Sequence, residues 1–139
     1  LIIGFGRIGR ELAWRLEGLG MRVIVLNRGR ERAEEARDLG HTVGDWQELT
    51  AVAARSLFIF NTVPALLLGR AQLQWLKPEA LIIDLAATPG GTDFAAAVEL
   101  GVKAVLSGGL PGKFAPRFSG EVMADVYLQL LTEGEEEGR

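Results

Sequence analysis

The chain has 139 residues, 48% of them apolar, which suits a single domain with a sizeable core. Its 18 acidic and 15 basic side chains give a mildly negative balance, with no basic footprint for nucleic acid or an anionic membrane. No cysteine and a single histidine exclude disulfides, thiolate metal sites and an imidazole-rich metal centre, and no apolar run reaches the roughly 18 residues of a membrane span, so a cytoplasmic domain is expected.

Leu1 to Ile3 reads as the last part of a strand. Ile8, Leu12, Leu16 and Leu19 recur at helical spacing and predict a helix over 7–19, closed by Gly20. "MRVIVLNR" (21–28) is a β-branched strand run, and "RERAEEARDLG" (30–40) a charged helix stopped by another glycine. "HTVG" is a short extended piece, and "DWQELTAVAARS" (45–56) a loop with a short helix. "LFIF" (57–60) reads as a buried strand ending at "NTVP", "ALLLGRAQLQWLK" (65–77) as a helix ended by Pro78, and "ALIIDLA" (80–86) as a strand followed by "ATPGGTD". "FAAAVELG" (94–101) is helical and "VKAVL" (102–106) a strand. Val122, Val126 and Leu130 stripe a last helix over 117–132, and "EGEEEGR" is a charged tail.

Strand and helix alternate throughout, and the strands are continuously apolar. These are the marks of a parallel sheet covered by helices on both faces. The expected fold is α/β, a doubly wound parallel sheet of Rossmann type in three αβα layers. It occupies 1–133, with 134–139 as the tail. A first strand in such a fold is usually about five or six residues long. The expectation is therefore a first strand truncated at its start and a further segment upstream.

Gly4, Gly6 and Gly9 have the G-x-G-x-x-G spacing, between a strand and a helix. In that setting Gly4 permits the tight turn, Gly6 lets the backbone approach a pyrophosphate, and Gly9 lets the helix pack close to the sheet. The N–H groups at the helix start, around Arg7 and Ile8, then bind the pyrophosphate. At the end of the second strand, NAD-binding domains carry Asp or Glu for the ribose hydroxyls. Here Asn27-Arg28-Gly29-Arg30 stands there. A neutral Asn27 does not repel a 2′-phosphate, and Arg28 and Arg30 can contact it, although Arg30 is also spaced to pair with Glu34. NADP is favoured over NAD.

Ligands of open parallel sheets bind beyond the carboxyl ends of the strands. Three further loops leave that edge: Asn61-Thr62-Val63-Pro64, then Leu85-Ala86 leading into Ala87-Thr88-Pro89-Gly90-Gly91-Thr92, and Ser107 to Lys113. Asn61, Thr62, Val63, Pro64, Leu85 and Ala86 are expected along the cofactor. Thr88, the N–H groups of Gly90 and Gly91, and Lys113 are expected at substrate carboxylates. No metal site is expected.

"GFGRIGRELA", "NTVP", "DLAATPGGTDF" and "GGLPGKFAPRFSGEVMADV" together resemble the C-terminal half of the NAD(P)-binding subunit family of dipicolinate synthase, over essentially the whole chain. The resemblance implies oxidation of a dihydrodipicolinate-type precursor to dipicolinate with NADP⁺ in sporulating bacteria. It also implies the second, flavoprotein-like subunit of dipicolinate synthase as partner, and a separate N-terminal domain; a homo-oligomer is compatible with it. The chain is more distantly similar to the cofactor domains of D-2-hydroxyacid dehydrogenases, but departs from them where it matters for chemistry. Those enzymes carry a catalytic Arg where this chain has Ala86-Ala87-Thr88, and a catalytic His where it has "LPGK". No catalytic residue is assigned. Aromatising a dihydropyridine needs loss of a hydride and a proton, so alignment with the nicotinamide is the main demand. Two alternatives stay open: a nucleotide-sensing module without catalysis, and a reductase of the shikimate dehydrogenase kind, in which "NR" and "NTVP" recur.

Among single residues, His41 is expected at the surface or partly packed, away from the cleft. Asp84, inside an apolar strand, is either buried and paired or turned to the cleft. Trp14, Trp46 and Trp75 are expected to pack.

Overall fold

The computed structural model describes residues 1–108. The helix expected over 117–132, the tail and the loop from Gly109 through Lys113 lie outside the described residues.

Five strands form one parallel sheet: β1 (Ile2–Ile3), β2 (Val25–Leu26), β3 (Phe58–Asn61), β4 (Leu81–Asp84) and β5 (Lys103–Leu106), in the order β2-β1-β3-β4-β5. The register pairs Ile3 with both Leu26 and Asn61, and Asn61 with Asp84. The inner strands β1, β3 and β4 are largely apolar because the sheet is covered on both faces, whereas the edge strand β5 carries Lys103 and exposed Val105. Ile3, Leu26, Ile59 and Ile82 point into a core closed by α3 (Leu49–Arg55), α4 (Arg70–Leu73) and α5 (Phe94–Glu99). Ile2, Val25 and Phe60 point the other way, against α1 (Arg7–Gly18) and α2 (Arg30–Asp38) through Ala13 and Ala36. The alternation of neighbours between two cores is the period-2 geometry of a strand buried on both faces.

"HTVG" gives the topology its sense. Val43 makes a single parallel bridge to Val25, flanked by Val25 N–H to Thr42 C=O (2.8 Å) and Gly44 N–H to Val25 C=O (3.0 Å). Counting this reduced strand, the spatial order becomes 3-2-1-4-5-6, the order of the dinucleotide-binding α/β folds. The chain changes faces between β1 and β3. The segments leaving these two strands therefore head to opposite faces of the sheet, and in such folds the crevice at this switch point, outside the carboxyl ends, is where ligands bind.

Three expectations need correcting. The strand over 21–28 is confined to Val25–Leu26, because its ladder extends only as far as its partner β1. The helix over 65–77 forms only at Arg70–Leu73. Leu67 and Leu68 instead donate their N–H groups to the Gly91 carbonyl (2.9 and 3.0 Å), and fully buried Leu68 pairs with Thr92 in a parallel bridge. Among the tryptophans, Trp46 packs against the core, but Trp14 and Trp75 are mostly exposed. The Arg15 guanidinium covers the Trp14 ring at 5.6 Å.

Ile59 lies in the middle of the sheet and is fully buried. Ile59→Ala should lower unfolding free energy by about 2–5 kcal/mol, and Ile59→Val by only about 1 kcal/mol, in urea denaturation.

Candidate functional site

The glycine turn follows β1 without a spacer. Gly4 has φ +93°, a left-handed conformation that side chains disfavour, and a Cβ there would also meet Val63 Cγ2 at 2.7 Å and collide with Thr62 Oγ1. A Cβ on Gly9 would run into the Gly4 carbonyl oxygen. Both positions are fixed by the protein's own packing. Gly6 differs: it is exposed, and a Cβ there would meet no atom within 4 Å. The turn thus presents bare backbone at Gly6, at the start of α1.

That helix has no side-chain N-cap, and its first backbone bond runs from Arg10 N–H to Gly6 C=O (3.0 Å). The N–H groups of Arg7, Ile8 and Gly9 have no acceptor among the described residues, as expected at an uncapped helix start. Open backbone at Gly6 beneath free donors and a helix dipole fits the pyrophosphate of a dinucleotide.

Asn27 closes the turn from the side. Its Oδ1 accepts the Phe5 N–H (3.0 Å), and its Nδ2 donates to the Gly29 carbonyl (2.8 Å). Arg28 is exposed and forms no ion pair among the described residues. Arg30 is held by Glu34 (2.7 Å), the helical pairing open to it in the sequence. Of the two arginines expected at a 2′-phosphate, Arg28 is therefore the uncommitted one. Behind the turn, Phe5 lies edge-on to His41, with ring centroids 5.4 Å apart. His41 is buried and its Nδ1 lies 2.8 Å from Glu17 Oε2, so it belongs to the packing of α1 rather than to the surface. The Arg10 guanidinium also lies over the Phe5 ring, at 5.8 Å, and is bound to Glu35.

The second half of the crevice is organised by Asp84, whose carboxylate is fully buried. Oδ1 accepts from Asn61 Nδ2 (3.0 Å) and Ala86 N–H (3.1 Å); Oδ2 accepts from Gly91 N–H (2.8 Å) and Thr92 Oγ1 (2.7 Å). Of the two roles open to Asp84 in the sequence, the buried and paired one is realised. Asn61 is equally enclosed, its Oδ1 accepting Val63 N–H (3.1 Å). Thr62 Oγ1 donates to the Ile3 carbonyl (3.0 Å), tying the loop after β3 to β1. Asn61, Thr62 and Val63 thus shape the wall of the crevice, while Pro64 is exposed at its rim. Leu85 donates its N–H to Asn61 C=O (2.7 Å), and Ala86 is buried beside Asp84.

The expected carboxylate contacts divide. Gly90 N–H goes to the Ala87 carbonyl (2.8 Å) and Gly91 N–H to Asp84, so neither amide of the Gly-Gly pair is offered to a substrate. A Cβ on Gly91 would collide with the Ala65 and Val63 carbonyls, so close packing accounts for that glycine. Thr88 is exposed on the same loop, and Lys113 lies outside the described residues. Thr92 and the Leu68–Thr92 bridge are not among the features the sequence singles out. The signal for them is an Asp inside an apolar strand followed eight residues later by a threonine. A separate depression, lined in part by Leu1, Val23, Ile24, Leu57 and Phe58, opens at the amino ends of the strands, away from the glycine turn. Among the described residues no helix is long and apolar enough to cross a membrane, and no group of side chains could hold a metal ion.

Comparison with known proteins agrees with this fold. The family model "D-isomer specific 2-hydroxyacid dehydrogenase, NAD binding domain" matches residues 1–90. The dipicolinate synthase A subunit of Bacillus subtilis (strain 168) is 36% identical over 139 residues, which cover 99% of this chain and 47% of that protein. The crystal structure of the same subunit from Bacillus subtilis superposes with a TM-score of 0.89 at 35% identity, covering 98% of this chain and 46% of that one. A glyoxylate reductase of Thermococcus gammatolerans (strain DSM 15229 / JCM 11827 / EJ3) is 33% identical over 92 residues, 61% of this chain and 26% of the relative. The chain spans about half the length of the dipicolinate synthase relatives that it matches, and about a quarter of the glyoxylate reductase.

Two outcomes are expected from mutagenesis here. Gly6→Ala should keep its urea midpoint yet lose dinucleotide affinity in a fluorescence titration, whereas Gly9→Ala should lose about 3 kcal/mol of stability through backbone overlap. Asp84→Asn replaces one acceptor oxygen with an NH2 donor that faces other donors in either amide orientation. It should cost about 2–4 kcal/mol in equilibrium unfolding, the scale of lost hydrogen bonds to a buried charge.

Proposed function

The chain belongs to the family of NAD-binding domains of D-isomer-specific 2-hydroxyacid dehydrogenases, and from that premise we propose that it is the NADP-binding half of a dipicolinate-synthase-type oxidoreductase. A nicotinamide cofactor and a dehydrogenase-like role follow from the family itself. The preference for NADP and the substrate are the finer reading.

The observation that carries the cofactor preference is Asn27-Arg28 at the end of β2. No carboxylate stands where one would repel a 2′-phosphate, and Arg28 is free to meet it in a charge-assisted contact. The N–H groups of Arg7, Ile8 and Gly9 would hold the pyrophosphate over Gly6, and the wall from Thr62 to Pro64 would flank the nicotinamide. When bound, the cofactor supplies hydride acceptance.

The substrate reading rests on similarity over 99% of the chain to the dipicolinate synthase relative. A dihydrodipicolinate-type precursor loses a hydride and a proton as its ring becomes aromatic. The protein's task is then to align the ring and exclude competing reactions, more than to supply a strong base. Ala86-Ala87-Thr88 follows β4 without a cationic side chain, which sets this crevice apart from hydroxyacid chemistry that polarises a carbonyl with arginine. Thr88, which is exposed, and Lys113 from the later loop are proposed as carboxylate contacts. The opposite wall would come from a separate N-terminal domain, with the flavoprotein-like second subunit of dipicolinate synthase as partner, in the cytoplasm of a sporulating cell.

Calorimetric titration should show NADPH bound more tightly than NADH. Arg28→Ala should weaken NADPH by about 1.5–3 kcal/mol and leave NADH unchanged, and equal affinities in the unmodified protein would remove the argument. The 139-residue chain alone should give no NADP⁺ reduction with a dihydrodipicolinate precursor. In the whole enzyme Lys113→Ala should raise KM for the precursor far more than Kd for NADPH, as steady-state kinetics would record.

A further inference from the structure

Asn27 stands where a dinucleotide-binding domain presents a side chain to the adenosine ribose. In this protein the side chain is engaged elsewhere. Its Oδ1 receives the Phe5 N–H at 3.0 Å and its Nδ2 gives a proton to the Gly29 carbonyl at 2.8 Å. The two partners fix the orientation of the amide, since a donor faces one end and an acceptor the other.

The bridge joins two pieces of backbone that a nucleotide must meet at once. Phe5 is the middle residue of the glycine turn, between Gly4 at φ +93° and bare Gly6. Gly29 precedes α2 and follows Arg28 directly. Phe5 is also held by its ring, which is buried, edge-on to His41 and in contact with the Arg10 guanidinium. Packing fixes the ring, and the Gly4 carbonyl of the peptide on its amino side meets only a long contact from Thr62 Oγ1 (3.4 Å) and the close approach of Gly9, which leaves the N–H end of that peptide to Asn27. Among the described residues, the Phe5 N–H has Asn27 as its acceptor.

We propose that Asn27 is a positioning residue that locks the phosphate-binding turn to the β2–α2 loop through the Phe5 amide, and governs cofactor affinity without touching the nucleotide. The proposal rests on the reading of this crevice as a dinucleotide site. Its logic is preorganisation: a turn already held in the binding geometry loses less freedom when the pyrophosphate arrives. Since NADH and NADPH share the pyrophosphate, loss of the lock penalises both alike. A side chain that contacted the ribose or its 2′-phosphate would change their ratio.

An aspartate at this position would behave differently from an alanine. One carboxylate oxygen can still accept from Phe5, while the other faces the Gly29 carbonyl, and two acceptors repel. Asn27→Asp therefore keeps the turn, releases the loop that carries Arg28, and places negative charge beside the 2′-phosphate.

The test uses the full chain and measures three things for each variant: Kd for NADPH, Kd for NADH, and hydrogen-exchange protection of the Phe5 amide. Asn27→Ala should weaken both cofactors by the same factor, about tenfold, the equivalent of roughly one hydrogen bond. It should also lose Phe5 protection while the β3 and β4 amides stay protected. Asn27→Asp should restore Phe5 protection and NADH affinity but not NADPH affinity. A loss confined to one cofactor in Asn27→Ala would make Asn27 a direct ligand and overturn the proposal. Unchanged affinities, or a Phe5 amide that stays protected without the Asn27 side chain, would overturn it as well. A preference for NADH in the unmodified protein would remove the NADP reading and leave the lock standing if Asn27→Ala still weakens both cofactors in parallel.

Discussion

The crevice depends on one buried charge. Asp84 ends β4 with no exposure to solvent, and a carboxylate in that position is tolerable only if its oxygens are met by donors. Four donors meet it: Asn61 from the end of β3, Ala86 from its own loop, and Gly91 and Thr92 from the segment that leads into α5. The requirement works in both directions. The charge dictates where each loop passes, and the loops exclude the water that would otherwise solvate it. Gly91 is then drawn so close to the Ala65 and Val63 carbonyls that no side chain fits there. The Gly91 carbonyl is left facing Leu67 and Leu68, whose N–H groups it accepts.

The glycine turn is built on a different principle. Its shape comes from contact and backbone conformation, with Gly4 against Thr62 and Val63, and Gly9 against the Gly4 carbonyl. Its outer surface is bare backbone at Gly6 and keeps unpaired donors. One half of the crevice is thus satisfied internally and rigid, while the other keeps hydrogen-bonding capacity for a ligand. That division matches the chemistry proposed for it, in which the pyrophosphate of the cofactor is gripped by backbone and the reacting ring lies beside the Ala86-Ala87-Thr88 segment, which carries no cationic side chain.

Much of this is legible in the sequence, and the parts that are not share a cause. The element rhythm, the glycine spacing and the continuously apolar strands are local signals, and each reports a local fact. The helix expected over 65–77 fails at its start because Leu67 and Leu68 find their acceptor at Gly91, more than twenty residues away, and a distant acceptor leaves no mark on local periodicity. Gly90-Gly91 reads as a pair of free amides for the same reason. A glycine pair can expose its N–H groups or donate them to a neighbour, and only the position of Asp84 decides which. Arg30 and Asp84 each have two readings open in the sequence, and in both the internal partner is the one found.

The bridge at Val43 bears on how the protein behaves in a crowd. A parallel sheet that ended at β2 would expose a row of unsatisfied amides and carbonyls, the template on which other chains add strands and aggregates grow. Here Val25 gives its N–H to Thr42 and takes the Gly44 N–H on its carbonyl, so the outward-facing groups at its midpoint are already paired. The covering segment is a single bridge long, too short to serve as a template itself. A strand worn down to one residue pair thus acts as a stopper, ending the sheet on that side and leaving little there for another chain to pair with.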